Sequence, residues 1–125
     1  MSFLDGLFII KTIEENENSF LVRMCCNPSH PVYQVHFPDN PITPGACLLK
    51  TAGEVLEQKL SRPLYLKSSK NIKYLSLLIP KEEKEVQFVF SNLVESENEC
   101  KVQVVIADET TVYTKMSLTF SYEPL

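Results

Sequence analysis

The chain has 125 residues, 44% of them hydrophobic, and a formal net charge of −4. That size and apolar content point to one domain over residues 1–125 with a real core and exclude a disordered chain, while the negative balance argues against nucleic acid as a main partner. No apolar stretch approaches the roughly 20 residues that span a membrane, and the N-terminus lacks the basic-then-apolar layout of a signal peptide, so no membrane partner and a cytoplasmic location are expected.

In chain order, residues 7–13 read as a strand, 14–19 as a polar turn and 20–25 as a second strand by alternation. Asn27-Pro28-Ser29-His30-Pro31 breaks the pattern, and a loop is expected to run on to Pro44. From 45 to 60, apolar residues recur at Leu49, Ala52 or Gly53, Leu56 and Leu60, which is helical spacing. Arg62-Pro63 then ends the helix. Residues 71–78 are strand-like and stop before Pro80, 86–94 are rich in β-branched and aromatic residues, and 96–99 form a turn. Residues 101–107 alternate through Val102, Val104 and Ile106, 108–109 connect tightly, and 110–122 make a final strand. Strands do not alternate with helices, so a parallel βαβ fold is excluded. The expected class is α+β, an antiparallel sheet with one central, largely buried helix lying on it.

Cys25 and Cys26 are adjacent while Cys47 and Cys100 stand alone, so no zinc spacing is present and four reduced thiols are expected. Charge is unevenly spread. Lys59, Arg62, Lys67, Lys70, Lys73, Lys81 and Lys84 are seven of the twelve basic residues, opposed within 59–84 only by Glu82 and Glu83. Such a run is either a solvated face or a docking patch for an acidic partner.

The run with most chemical content is His36-Phe37-Pro38-Asp39-Asn40-Pro41-Ile42-Thr43-Pro44-Gly45. Its three prolines fix φ and bias each preceding residue toward extended geometry, so the loop loses little entropy on folding. Thr43 suits a helix N-cap, Pro44 the first helical position, and Gly45 a close approach of backbone or ligand. Free N–H groups from Gly45 through Ala46 to Cys47 would then face whatever lies over the helix start, with His36 beside them as a candidate general base. The alternative is an ordinary capped helix after a proline-rich loop. His30, between Ser29 and Pro31, is expected to be solvent-exposed.

This run resembles the HFPxxPxxPG loop of the single-hotdog 3-hydroxyacyl-ACP dehydratases, and residues 72–80 are a weaker echo of the same family's strand after the helix and its closing proline. The resemblance implies a hotdog fold, with the sheet wrapped around the central helix. It implies dimers, either homodimers or heterodimers with a hotdog paralogue, with acyl tunnels at the interface. It also implies a thioester substrate on an acyl carrier protein, in fatty-acid or related acyl-chain biosynthesis. By the same resemblance His36 removes the α-proton and the Gly45 N–H polarises the thioester carbonyl. Phe37, Pro44 and Ala46 complete the substrate-binding set, and no metal or organic cofactor is used. The family's acid, contributed by the partner subunit and falling fourteen positions after the histidine, is here Lys50. Glu54 follows one turn later, where many relatives have Gln, and Asp39 replaces a common glycine. Lys50 and Glu54 are therefore both candidates for the proton donor, or else an exposed i,i+4 pair on a polar helix face. Lys59, Arg62, Lys67, Lys70 and Lys73 are the expected contact for the carrier protein. The alternatives are a non-catalytic acyl-binding subunit that pairs with an active paralogue, and a hotdog acyl thioesterase.

Overall fold

The computed structural model describes residues 2–3, 5–35 and 39–125. Two of the candidate site residues, His36 and Phe37, lie outside the described residues. The elements are β1 (Ser2–Phe3), β2 (Phe8–Glu15), β3 (Ser19–Cys26), α1 (Val32–Val35), α2 (Gly45–Leu60), β4 (Tyr65–Tyr74), β5 (Glu85–Glu95), β6 (Glu99–Ala107) and β7 (Val112–Ser121). The strands form one antiparallel sheet in the order β1-β2-β3-β5-β6-β7-β4.

Alternation explains the central strands. In β3 the buried positions are Phe20, Val22, Met24 and Cys26, and in β6 they are Cys100, Val102, Val104 and Ile106. Those side chains share one face with Val86, Phe88 and Phe90 of β5 and with Met116, Leu118 and Phe120 of β7. Aromatic pairs fix the middle of the layer: Phe20 stacks on Phe90 at 4.6 Å, and Phe8 meets Phe88 edge-on at 5.4 Å. α2 lies on this face through Leu48, Thr51, Ala52, Val55 and Leu56. One flank of the helix, at Val55 and Gln58, meets Ile10 and Ile13 of β2, and the other reaches Leu66 of β4 and Phe120 of β7. The sheet thus curves under the helix, with strands from both of its ends along the helix flanks, the α+β hotdog architecture.

The structure differs from the sequence reading at several places in the fold. The segment expected as a strand at 71–78 is a strand from Tyr65 to Tyr74 instead. β4 is an edge strand, paired only with β7 and broken by register shifts after Leu66 and after Lys70, so it never shows clean alternation. α1 is a single turn inside the expected loop. The seated stripe of α2 runs through Leu48 and Val55 rather than Leu49 and Leu60, which are only half-buried. Finally, α2 buries one side alone, and Ala46, Lys50, Gln58 and Lys59 are exposed.

The turn between β6 and β7 is pinned by Asp108. Its Oδ1 accepts N–H bonds from Thr110 and Thr111, both at 2.9 Å, while Oδ2 accepts from Tyr113 Oη and from Lys84 Nζ at the entry to β5. The Lys84 ammonium, then the Tyr113 hydroxyl, hold the Asp108 carboxyl well below the usual carboxylate range, and Asp108 in turn raises Lys84. A carboxyl whose folded value is depressed contributes its stabilisation in full above the unfolded value, near 3.8, and loses it as pH falls through the lower folded value. Asp108→Asn is therefore expected to lower unfolding stability by about 1–3 kcal/mol at neutral pH. In denaturation series, the gap to wild type should stay constant down to about pH 4 and close below it.

Candidate active site

The chain enters α2 through a segment tied down on both sides. Thr43 is buried; its Oγ1 shares a 2.8 Å hydrogen bond with Tyr33 Oη, and its N–H donates to Leu78 O at 2.8 Å. Burial pushes the Tyr33 phenol up to about 12, so it stays a neutral hydroxyl in this bond. Thr43 therefore does not cap α2. The N-cap is Pro44, with φ −63° and ψ 142°, and the helix begins at Gly45 without a side-chain cap. Upstream, His30 is half-buried rather than exposed. Its Nδ1 accepts the Val32 N–H at 3.0 Å and its carbonyl the Tyr33 N–H at 3.1 Å, which starts α1. The segment between α1 and α2 is therefore preceded by α1 and re-enters the described structure before an anchored threonine at the start of α2.

In the first turn of α2, the Cys47 and Leu48 N–H groups both reach Pro44 O, at 3.0 and 3.3 Å. The N–H groups of Gly45 and Ala46 precede any intrahelical acceptor and remain as donors at the positive end of the helix. Tyr74, the last residue of β4, stands against this turn. A Cβ on Gly45 would lie 2.6 Å from Tyr74 Cζ and 2.9 Å from its hydroxyl, so glycine is required there by close approach.

A cleft of about 250 Å³ opens along the uncovered flank of α2. Helical spacing puts Ala46, Lys50 and Glu54 on one ridge and Leu49, Gly53 and Glu57 on the next. The facing wall is Leu64, Leu66 and Phe120. Glu57 is structural at the far end, where its Oε2 accepts the Leu64 N–H at 2.9 Å and fixes β4 to the helix. Three of the residues singled out in the sequence, Ala46, Lys50 and Glu54, thus share one cavity. Gly45 and Pro44 stand just above it at the helix start and are not part of its wall. Lys50 is exposed at the surface of the cleft, while Glu54 is half-buried in it. The apolar wall and Tyr74 carry no local sequence signal, because they come from strands far along the chain. Gly53, a glycine inside a helical pattern, is the one lining residue whose oddity is visible in sequence. Among the described residues no cluster of three or more His, Cys, Asp or Glu side chains converges as a metal site.

The basic run divides. Lys59 pairs with Glu15 and lies over the Phe20 ring, Arg62 stacks on Tyr122 at 3.5 Å, Lys67 bonds Glu99 at 2.8 Å, and Lys84 bonds Asp108. Lys70 and Lys73 remain exposed on the outer face of β4, and Lys73 sits directly opposite Lys115 of β7. Like charges facing each other across a strand pair disfavour folding, so this pairing is a cost the fold carries.

The family profile described as ApeI-like, ApeI dehydratase, matches residues 12–117. The chain belongs to the ApeI-like dehydratase family. No curated protein sequence matches it. Among solved structures it is similar to the dehydratase heterocomplex ApeI:P of Xenorhabdus doucetiae, with 13% identity, TM-score 0.73, and coverage of 91% of this chain and 97% of that one. It is also similar to yhdA of Lactococcus lactis, described as a thioesterase, with 18% identity, TM-score 0.66 and coverage of 99% and 98%. A hypothetical thioesterase of Streptococcus pneumoniae TIGR4, solved with coenzyme A, aligns at 13% identity and TM-score 0.66 over 93% of this chain and 85% of that one. At these identities the structural matches establish the shared fold.

Proposed function

We propose that this family member eliminates water from 3-hydroxyacyl thioesters carried on an acyl carrier protein. The observation that carries the reading is the open flank of α2, where Lys50 and Glu54 share a cleft with Leu49, Leu64, Leu66 and Phe120 below a helix start whose first N–H groups precede any intrahelical acceptor. His36 takes the α-proton. The electrons of that C–H bond move toward the thioester carbonyl, whose oxygen gains negative charge and is received by the Gly45 N–H. The double bond then forms as the C–O bond at the β-carbon breaks, and the leaving hydroxyl takes a proton to depart as water. Glu54 is the donor. It is half-buried in the cleft while Lys50 is exposed. Phe37, Pro44 and Ala46 bound the thioester end of the site.

The active species pairs this chain with a second hotdog subunit, either another copy or a paralogue. Two features support pairing. Leu75, Leu77 and Ile79, after β4, are 52%, 65% and 44% exposed, and β4 leaves one edge of the sheet open. Dehydration of a 3-hydroxyacyl-carrier substrate, followed as enoyl product, should fall roughly 10²–10⁴-fold in His36→Ala and in Glu54→Gln, while Lys50→Glu changes little. Release of free thiol without enoyl formation would instead assign hydrolysis. Activity appearing only when a paralogue is added would assign a pairing subunit.

The carrier protein docks on Lys70, Lys73 and Lys115, lysines near the Tyr74 end of the cleft that form no ion pair among the described residues. Lys67, engaged by Glu99, is not part of this contact. Reversing all three charges should slow association with an acidic carrier protein at low salt, and the difference should shrink as salt rises. Identical association kinetics would make the patch a solvated face only.

A further inference from the structure

We infer that Tyr33 is a positioning residue for the reaction: by holding the Thr43 hydroxyl, it keeps that hydroxyl off the Gly45 and Ala46 N–H groups and leaves them open to the thioester oxygen. The inference rests on the dehydratase reading above and deepens it, naming a residue outside the cleft on which the oxygen-binding donors depend.

Thr43 lies two positions before Gly45 and three before Ala46. At that spacing a threonine hydroxyl turns back on the chain and accepts a backbone N–H, which is why threonine is favoured just before helices. Here it does not. α2 starts without a side-chain cap, and among the described residues neither the Gly45 nor the Ala46 N–H has an acceptor. The Thr43 hydroxyl is taken instead by Tyr33 Oη, at 2.8 Å. Both side chains are enclosed, Tyr33 at 2% and Thr43 at 4% exposure, so solvent does not compete for either hydroxyl. A buried phenol left without a partner is costly, and that cost keeps the pair together. The Thr43 backbone is fixed as well, through its N–H on Leu78 O. What remains free is rotation about one side-chain bond of Thr43, between Tyr33 on one side and the helix donors on the other. Ala46 is exposed and lines the cleft, so a donor left open there faces a cavity rather than packed protein. The helix thus forgoes a stabilising cap, and the uncapped donors stay available to an oxygen that gains negative charge.

The test compares wild type, Tyr33→Phe and the double variant Tyr33→Phe/Thr43→Val, each as the full chain in its native assembly. Phenylalanine keeps the ring and removes the phenol, so the Thr43 hydroxyl is expected to turn onto the helix donors. The added valine takes that hydroxyl away and opens the donors again. In Tyr33→Phe, kcat for a 3-hydroxydecanoyl N-acetylcysteamine thioester should fall toward the roughly 10²–10³-fold loss that removing one oxyanion donor brings, with KM little changed. The double variant should recover it. Amide hydrogen exchange at Gly45 and Ala46 should slow in Tyr33→Phe alone. Wild-type kcat in Tyr33→Phe, a double variant as slow as the single one, or unchanged exchange each overturns the inference while the dehydratase reading stands. Loss of cooperative unfolding in Tyr33→Phe also overturns it, because the pair is then only a clamp. If wild type forms no enoyl product, the dehydratase reading falls, and the exchange alone decides whether Tyr33 keeps the donors open.

Discussion

The stripe Leu48, Thr51, Ala52, Val55 and Leu56 seats α2 on the apolar face of the sheet, and the remaining geometry follows from that seat. Burying these side chains removes apolar surface from water and fixes the helix in rotation, since adjacent helical residues differ by about 100° in direction. With that stripe facing inward, the ridges Ala46-Lys50-Glu54 and Leu49-Gly53-Glu57 have only one place to go, the gap between α2 and the β4–β7 edge. A slip in rotation would bury Lys50 or Glu54 in the core at a cost no single contact could offset. The same packing energy that makes the fold thus presents polar and apolar side chains together in one cleft.

Anchors at both ends hold this arrangement. Toward the helix start, Tyr33, Thr43 and Leu78 join the loop before α2 to the segment after β4, and Tyr74 closes over Gly45. At the other end, Glu57 holds the start of β4 through the Leu64 N–H, and Ser61, in left-handed geometry, returns its N–H to Glu57 O. The cleft is therefore bounded by fixed backbone at both ends, which suits a site that must place a thioester and a β-hydroxyl a few ångströms apart. On the outer face, Lys67 and Lys101 pair with Glu99, whereas Lys73 and the opposed Lys115 accept mutual repulsion within the sheet, with Lys70 close by on the same strand. A protein whose net charge is −4 keeps this small positive area intact, which fits recognition of an acidic macromolecule better than general solubility.

Much of this was legible in the sequence, for identifiable reasons. The limits of α2 coincide with the expected 45–60, because a proline-glycine start and an Arg-Pro stop are local signals. β3, β5, β6 and β7 alternate, so their reading is right to within a residue or two. Helical spacing alone places Ala46, Lys50 and Glu54 on one face. Four features were hidden. β4 is an edge strand with two register shifts, so its pattern resembles a polar loop at 65–70 and a strand only afterwards. The apolar residues of α2 belong to two stripes, Leu48/Val55 toward the sheet and Leu49/Gly53 toward the cleft, and periodicity merges them. Thr43 fits a capping role locally but is claimed by Tyr33, a tertiary partner ten residues away. Leu66, Tyr74 and Phe120 reach the site only through long-range pairing. The roles assigned to His36 and Phe37 rest on the loop motif, since both lie outside the described residues.

The central claim is that an acyl chain lies along the open flank of α2, between the helix and the β4–β7 edge. The most direct measurement is photocrosslinking with a 3-hydroxyacyl thioester bearing a diazirine near the chain terminus, followed by mass-spectrometric mapping of the adduct. Insertion at Ala46, Leu49, Lys50, Gly53, Glu54 or Glu57 of α2, or at Leu64, Leu66 or Phe120, is the predicted result. Insertion confined to the opposite flank of the helix, at Ile10, Ile13, Val22 or Val55, would contradict the claim, because that groove is separated from Lys50 and Glu54 by the body of α2.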